Sequence, residues 1–215
     1  NEGENILVNG LITDPSRSIG SVAISDDGSV MVFSECLSEV RDNTSQCHLR
    51  LATRDDSTWV TKPAFSEAVN HENFTSTHPT IRQEDNYYVV YFASNKDLGK
   101  GGLDLYECIL TENGGVKGPN ALHSVNTAMD DISPFYDQFT KRLYFSSNGY
   151  PSLGGFDIFY TAQDSLSQWR TPQNLMRPLN SQADDVFFRK AQGESLLDES
   201  ERGYLISNRE GTTFF

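Results

Sequence analysis

The chain is short of positive charge. Its 215 residues include 17 Lys and Arg against 30 Asp and Glu, which gives a formal net charge of −13 at pH 7. A protein this acidic repels phosphate backbones, and no cluster of Lys and Arg offers a footprint for one. We therefore expect no nucleic-acid partner.

Long apolar runs are missing too. No stretch approaches the ~18 consecutive apolar residues of a membrane-spanning helix, so no membrane span is predicted. The first residues, Asn1–Asn5, lack the basic start and the apolar core of a signal peptide. The apolar content of 37% is ordinary for a globular protein, and the length suffices for one sizeable core.

Cysteine is scarce, with three residues in the chain. Cys36 and Cys47 bracket a polar loop between two predicted strands, where a disulfide would join the two arms of a hairpin. The alternative is two unrelated small side chains, and the sequence leaves both open. Cys108 lies among Tyr106, Ile109 and Leu110, which predicts a buried free thiol.

Recognisable catalytic and zinc motifs are absent from the sequence. No Gly-x-Ser-x-Gly element and no phosphate-binding loop occur, since Gly99–Gly102 reads as a hairpin turn with no helix after it. The four histidines, at positions 48, 71, 78 and 123, have no zinc-ligand spacing. No cofactor is predicted, and calcium is the one ion kept under consideration.

An internal repeat is the strongest signal in the chain. A Tyr-Phe-Ser-Ser-Asn-like segment is followed by a Gly-Gly turn, an Asp-containing strand, a Pro-to-Asn element and a pair of aspartates. The copies of the first segment are Tyr91–Asn95, Tyr144–Asn148, Tyr204–Asn208 and, more weakly, Met31–Ser34. Matching positions lie 53 to 60 residues apart. A period in this range indicates stacked units of one supersecondary structure.

Each unit divides into four short strands separated by turn residues. In the third unit the predicted strands are Ile132–Tyr136, Arg142–Ser146, Phe156–Ala162 and roughly Asn174–Leu179. The third strand carries apolar side chains on both faces, as a sheet packed between two other sheets requires. Four strands per unit, with recurring Gly and aromatic positions, is typical of propeller blades. A solenoid is the rival architecture, although its units are usually shorter.

We therefore predict an all-β fold, a β-propeller of four-stranded antiparallel blades of about 55 residues, with about four blades present. The predicted blades span 19–74, 75–131, 132–185 and 186–215, the last incomplete. Because a propeller closes its ring so that no blade has a bare face, we expect a segment of a larger ring. The alternative is a four-bladed ring completed by an N-terminal strand, Ile6–Ile12.

The second and third units resemble a known family. Tyr144–Asn148, the turn at Gly154-Gly155 and Phe156–Tyr160 are similar to the WD-like repeats of TolB-type propellers. They are most similar to those of bacterial cell-envelope proteins with OmpA-like domains, some of them in the type IX secretion and gliding apparatus. The first unit departs from this pattern, with His48 where Asp104 and Asp157 stand in the next two. The resemblance implies a periplasmic or outer-membrane-associated location, envelope-protein partners and a peptidoglycan link through a flanking domain.

The repeated aspartates admit a structural and a chemical interpretation. Asp104 and Asp157 are acid/base or metal-binding candidates, but recurrence once per blade favours carboxylates that accept backbone N–H bonds in a turn. Asp130, Asp131, Asp184 and Asp185 are weak candidates for a cation or rim-binding site, because calcium takes several hard oxygen ligands. Their alternative role is to cap turns.

The sequence thus predicts a non-enzymatic protein-binding or scaffolding propeller of a cell-envelope or secretion-associated complex, with no catalytic residues. One alternative is a glycan-binding or glycan-processing propeller, which needs carboxylates ~5–10 Å apart in an aromatic-flanked channel pocket. Tyr87 and Tyr150 are the aromatic residues considered for that pocket. The other alternative is a calcium-stabilised, adhesin-like propeller.

Overall fold

The computed structural model describes residues 16–37, 46–56, 58–63, 65–111, 115–190 and 203–210. It confirms the predicted fold class, since these residues form antiparallel β-sheets arranged as propeller blades. Within this part of the chain, no helix is long and apolar enough to cross a membrane. The strand Ile6–Ile12, considered for closing the ring, falls outside the described residues.

The sheets follow the chain, with each strand hydrogen-bonded to the next in sequence. Blade 1 contains β1 to β4, blade 2 β5 to β8, blade 3 β9 to β12, and blade 4 the described pair β13 and β14. The strands are β1 Arg17–Ile24, β2 Val30–Leu37, β3 Cys47–Asp55, β4 Thr58–Thr61, β5 Ser76–Gln83, β6 Tyr87–Ser94, β7 Asp104–Thr111, β8 Val116–Ala121, β9 Asp131–Asp137, β10 Arg142–Ser147, β11 Asp157–Ala162, β12 Gln173–Asn174, β13 Asp185–Lys190 and β14 Gly203–Ser207.

The core lies between neighbouring blades. One apolar cluster joins blades 1 and 2, with Val32 and Phe92 fully buried in it. A second joins blades 2 and 3 around Tyr91 and Phe145, and a third joins blades 3 and 4 around Ile158. The two-faced apolar strands predicted from the sequence are explained by this arrangement, because each middle blade packs on both sides.

The asparagine that ends each Pro-to-Asn element bonds to the third strand of its own blade. Asn126 accepts a hydrogen bond from the Leu105 N–H and donates one to the Leu105 carbonyl, both 2.9 Å long. The same paired bonds join Asn70 to Leu49 and Asn180 to Ile158. The asparagine therefore replaces a strand neighbour where the fourth strand has left the sheet.

The Gly-Gly turns lie against the link to the next blade. A Cβ on Gly154 would be 2.1 Å from the Ala183 carbonyl oxygen, and one on Gly155 would be 2.1 Å from Asp184 Oδ1. In blade 2, a Cβ on Gly101 would clash with the Met129 carbonyl oxygen, and one on Gly102 would clash with Asp130 Oδ1. Glycine recurs here because no side chain fits between the turn and the aspartate-containing connection.

The fourth strand of blade 3 is shorter than predicted. It ends after Asn174, whose side chain accepts a hydrogen bond from the Met176 N–H and donates to Asp157 Oδ2. A side chain that bonds to the backbone two residues onward starts a turn and stops the ladder.

Candidate functional site

The innermost strands of the blades are β1, β5, β9 and β13. Each packs beside the next, β1 by β5, β5 by β9 and β9 by β13. Each also contains one irregularity at an equivalent place, after Ile19, Thr77, Ile132 and Val186. A bulge inserts a residue and changes the direction of a side chain, so these four strands have a matched set of redirected residues.

Three of the redirected residues have left-handed backbone conformations. The φ angles are 51° at His78, 54° at Ser133 and 55° at Phe187. The rings of His78 and Phe187 are in contact, although blade 3 separates their blades, so they meet across the propeller axis. Burial, and secondarily the charge of Arg189, lowers the pKa of His78 to about 4, so its imidazole is neutral near pH 7.

A pocket of about 190 Å³ lies beside this contact. All four blades contribute to its walls, through Val22, Ala23, Ile24 and Asp26 of blade 1, Pro79, Thr80 and Ile81 of blade 2, Phe135 and Tyr136 of blade 3, and Arg189 of blade 4. Pockets for drug-sized ligands have volumes of roughly 300–1,000 Å³. The size of this pocket suits a smaller group, such as one sugar ring.

The pocket has one acidic and one basic lining residue. Asp26, in the turn after β1, is exposed. Arg189, on β13, donates a hydrogen bond to the Phe188 carbonyl (2.9 Å), and its guanidinium carbon lies 5.4 Å from the centre of the Phe135 ring. Burial lowers the pKa of Arg189 to about 10. No carboxylate pairs with Arg189 among the residues that the structure describes.

A second arginine, Arg82 at the end of β5, has a carboxylate partner by contrast. Its Nε lies 2.6 Å from Glu84 Oε1, and its Nη1 donates to the Tyr91 hydroxyl and to Gln163 Oε1. Its guanidinium also lies 5.5 Å from the centre of the Tyr136 ring. Arg82 thus links blade 2 to blade 3 and supports the wall of the pocket that Tyr136 forms.

The ends of the inner strands meet at one end of the propeller. The Asp27 N–H donates to Gln83 Oε1 (3.2 Å), and Gln138 Nε2 donates to the Gln83 carbonyl (2.6 Å). Asp26 and Glu84 each lie one residue from the first of these bonds. The turn that contains Asp26 is therefore bonded to the end of β5, directly before Glu84, and Asp26 is the one of these two carboxylates that lines the pocket.

The first pair of predicted site residues bonds to turns. Asp104 Oδ2 accepts the N–H groups of Lys100 and Gly101 at 2.7 and 2.9 Å. Asp157 accepts those of Leu153 and Gly154 at 2.7 and 3.2 Å. These two carboxylates are buried and do not line the pocket.

The other four aspartates connect successive blades. Asp130 Oδ1 accepts from the Leu103 N–H at 2.7 Å, and Asp184 Oδ1 accepts from the Phe156 N–H at 2.9 Å. Asp131 and Asp185 accept bonds from Thr127 and Ser181, respectively, each through the N–H and the hydroxyl. Burial raises the pKa of Asp131 to about 6. The described residues contain no group of three or more His, Cys, Asp or Glu side chains placed to hold a metal ion.

The remaining residues named from the sequence lie away from the pocket. A disulfide joins Cys36 on β2 to Cys47, the residue opposite it on β3. Cys108 is a buried free thiol. Tyr150 packs on Phe145 and Phe159 and donates to the Val125 carbonyl, while Tyr87 is an exposed residue at the start of β6. Neither of these tyrosines lines the pocket, whose aromatic residues are Phe135 and Tyr136.

Sequence reasoning missed Arg189 and Phe135 because it searched for recurring residues. Their position, three residues after the start of each irregularity, holds Val22, Thr80, Phe135 and Arg189 in the four blades. An alignment of the four units that looked for positions with a different residue in each unit would have found them.

The fold is shared with solved glycoside hydrolases. Zg3597, a family 117 glycoside hydrolase of the marine bacterium Zobellia galactanivorans, matches 91% of this chain and 68% of its own length, with a TM-score of 0.57 and 11% identity. The Bombyx mori GH32 β-fructofuranosidase BmSUC1 matches 90% of this chain with a TM-score of 0.56 and 13% identity, and the match covers 43% of that enzyme. No protein-family model and no curated protein matches the sequence.

These matches correct the functional prediction. The expected non-enzymatic scaffold, with its link to type IX secretion, is contradicted, because the solved structures to which this chain is similar include several glycoside hydrolases. Of the sequence resemblance, the propeller architecture is retained, and nothing supports the TolB-type or OmpA-associated assignment. At 11–13% identity the likeness shows the fold, and the activity of this chain is a matter for proposal.

Proposed function

We propose that this propeller binds and processes a glycan in the pocket between its inner strands. The observation that carries the proposal is the pocket itself, a concave site to which all four blades contribute, on a fold shared with glycoside hydrolases. Phe135 and Tyr136 supply aromatic surface for a sugar ring, and Thr80, Asp26 and Arg189 supply polar groups. Apolar walls with a few polar groups are typical of small-molecule sites.

Hydrolysis of the common two-carboxylate type requires an acid and a base or nucleophile about 5–10 Å apart. Asp26 is the carboxylate of the described pocket lining, and we assign it to the reaction. Glu84 is the proposed second group, because the bond between Asp27 and Gln83 holds the turn of Asp26 against the end of β5. The ion pair with Arg82 fixes the position of Glu84.

The test is release of reducing sugar from a panel of polysaccharides and aryl glycosides. We expect Asp26→Asn or Glu84→Gln to lower the rate at least 100-fold, the scale of losing an acid/base group. Asp85→Asn, an exposed neighbour of Glu84, serves as the matched control and should retain full activity. Binding of a glycan without any release of sugar would contradict processing. If the protein neither binds a glycan nor releases sugar from one, the whole proposal is overturned. Full activity in both variants would overturn the assignment of the two carboxylates.

We also propose a periplasmic or outer-membrane-associated location. The Cys36–Cys47 disulfide supports an oxidising compartment, since such bonds are rare where thiols are kept reduced. Cell fractionation with an antibody to the chain tests this, and recovery in the reduced cytosolic fraction with free thiols at both positions would contradict it. The predicted envelope-protein partners and the peptidoglycan link stay predictions.

A further inference from the structure

Arg189 lacks the carboxylate partner that most partly buried cations of the described residues have, and Lys96, which lies over the Phe74 ring, is the other exception. Arg17, Arg82, Lys190 and Arg209 each have a carboxylate within 4 Å, on Glu35, Glu84, Asp137 and Asp185 respectively. Arg189 contacts a carbonyl oxygen and the face of Phe135 instead. A cation removed from water costs free energy unless an opposite charge compensates it. Its position in the pocket wall is where a ligand would supply that charge.

Two polar groups close in sequence to the pocket lining also lack a hydrogen-bond partner in the described structure. Nδ1 of His78 and Oγ of Ser133 are buried and make no hydrogen bond within the described structure, and Ser133 is 1% exposed. His78 precedes the lining residue Pro79, and Ser133 is two residues before the lining residue Phe135. Buried polar groups are normally hydrogen-bonded, so these two can take a water molecule or a polar group of a ligand as their partner.

The two charged residues of the pocket lining lie on different blades. Asp26 belongs to blade 1 and Arg189 to blade 4, so the acidic and basic lining residues come from the first and last blades of the row. An anionic ligand would place its negative group at Arg189 and keep it away from Asp26. The net charge of −13 repels anions at long range, so selectivity for one must come from this local contact.

We propose that Arg189 binds a negatively charged oxyanion of the glycan, a carboxylate or a sulfate ester, so that the ligand is an acidic glycan. This inference rests on the proposed function, since it concerns the same pocket. The planar guanidinium offers parallel N–H donors that match either oxyanion.

An array of acidic glycans beside their neutral counterparts tests the inference. It would include oligogalacturonate with its methyl ester, and sulfated galactan oligosaccharides with the desulfated forms. We expect acidic members to bind at least tenfold more tightly, and Arg189→Gln to remove that difference. The control Arg142→Gln, in which an exposed arginine on the Tyr160 ring is changed, should preserve it. The pair in which the acidic member gains more affinity over its neutral counterpart shows whether Arg189 prefers a carboxylate or a sulfate ester.

The outcomes separate this inference from the proposed function. Equal binding of acidic and neutral glycans, or a preference that survives Arg189→Gln, would overturn the role of Arg189 and leave glycan binding intact. Binding of no glycan would overturn both proposals.

Thermal unfolding provides a readout that needs no ligand. Arg189→Met removes a cation that has no carboxylate partner among the described residues and keeps apolar contact with Phe135, so we expect the melting temperature to stay level or rise. Arg82→Met breaks an ion pair and two hydrogen bonds, and we expect it to melt several degrees lower. A comparable loss in both variants would show that Arg189 is structural and would contradict the inference.

Discussion

The imidazole of His78 packs edge-on against the ring of Phe187, with 4.8 Å between the ring centres and an angle of 87° between the planes. The two residues occupy equivalent positions in blades 2 and 4, and both have positive φ angles. Their contact joins blades 2 and 4 beside the pocket, so the protonation state of His78 affects how these two blades are held together.

This contact predicts a loss of stability in acid. The pKa of His78 falls from 6.5 to about 4 on folding, so between these values the unfolded chain binds a proton that the folded chain does not. The contribution of His78 to stability is complete above pH 6.5 and is lost as the pH falls towards 4. Between pH 7 and pH 4, we expect the free energy of unfolding in urea to fall by roughly 1–3 kcal/mol more for the wild type than for His78→Gln. Parallel pH profiles would contradict this.

The Asn126 side chain provides a test of the repeat. Asn126→Ala removes the partner of the buried Leu105 N–H, while the Leu105 carbonyl keeps its bond from the Leu122 N–H. Because one unsatisfied buried group costs roughly 1–3 kcal/mol, we expect a loss of about that size in denaturant unfolding. Asn120→Ala, at an exposed position of β8, is the control and should change stability by less than about 0.5 kcal/mol. Equal effects would mean that the asparagine bonds are dispensable.

The glycine turn of blade 3 should tolerate no side chain. Gly154→Ala places a Cβ 2.1 Å from the Ala183 carbonyl oxygen, an atom that cannot rotate away. We expect the backbone shift to cost roughly 1–3 kcal/mol, measured by thermal unfolding. At Gly115 the nearest atom is the Thr111 hydroxyl at 3.0 Å, on a side chain that can move, so Gly115→Ala is the milder comparison. A stable Gly154→Ala protein would show that this approach is looser than described.

Reduction of the disulfide should weaken blade 1. Cys36 and Cys47 are 11 residues apart, and closing a loop of this size stabilises a protein by about 2–3 kcal/mol in the chain-entropy model. We expect reductant to lower the melting temperature of the wild type. In a double variant with serine at both positions, the melting temperature should be low at the start and insensitive to reductant. A wild type insensitive to reductant would contradict the contribution of the bond.

Recurring residues predicted the fold, and non-recurring ones form the site. Asn126 and Gly154 could be found from the sequence because the closing bond recurs in blades 1 to 3 and the glycine turn in blades 2 and 3. Phe135 and Arg189 could not, because their position holds a different residue in each blade and shows its meaning only when the inner strands lie side by side. The short β12 was missed for another reason, since the bonds of the Asn174 side chain compete locally with the sheet.

The strand order within every sheet follows the chain, so nearly all pairing is between segments adjacent in sequence. Folding can then proceed through local hairpins, with low contact order for an all-β protein. Energetically the blades resemble a one-dimensional array in which each unit is coupled to its nearest neighbours. A sequence change in β7 or β11 is therefore felt mainly by the blades next to it.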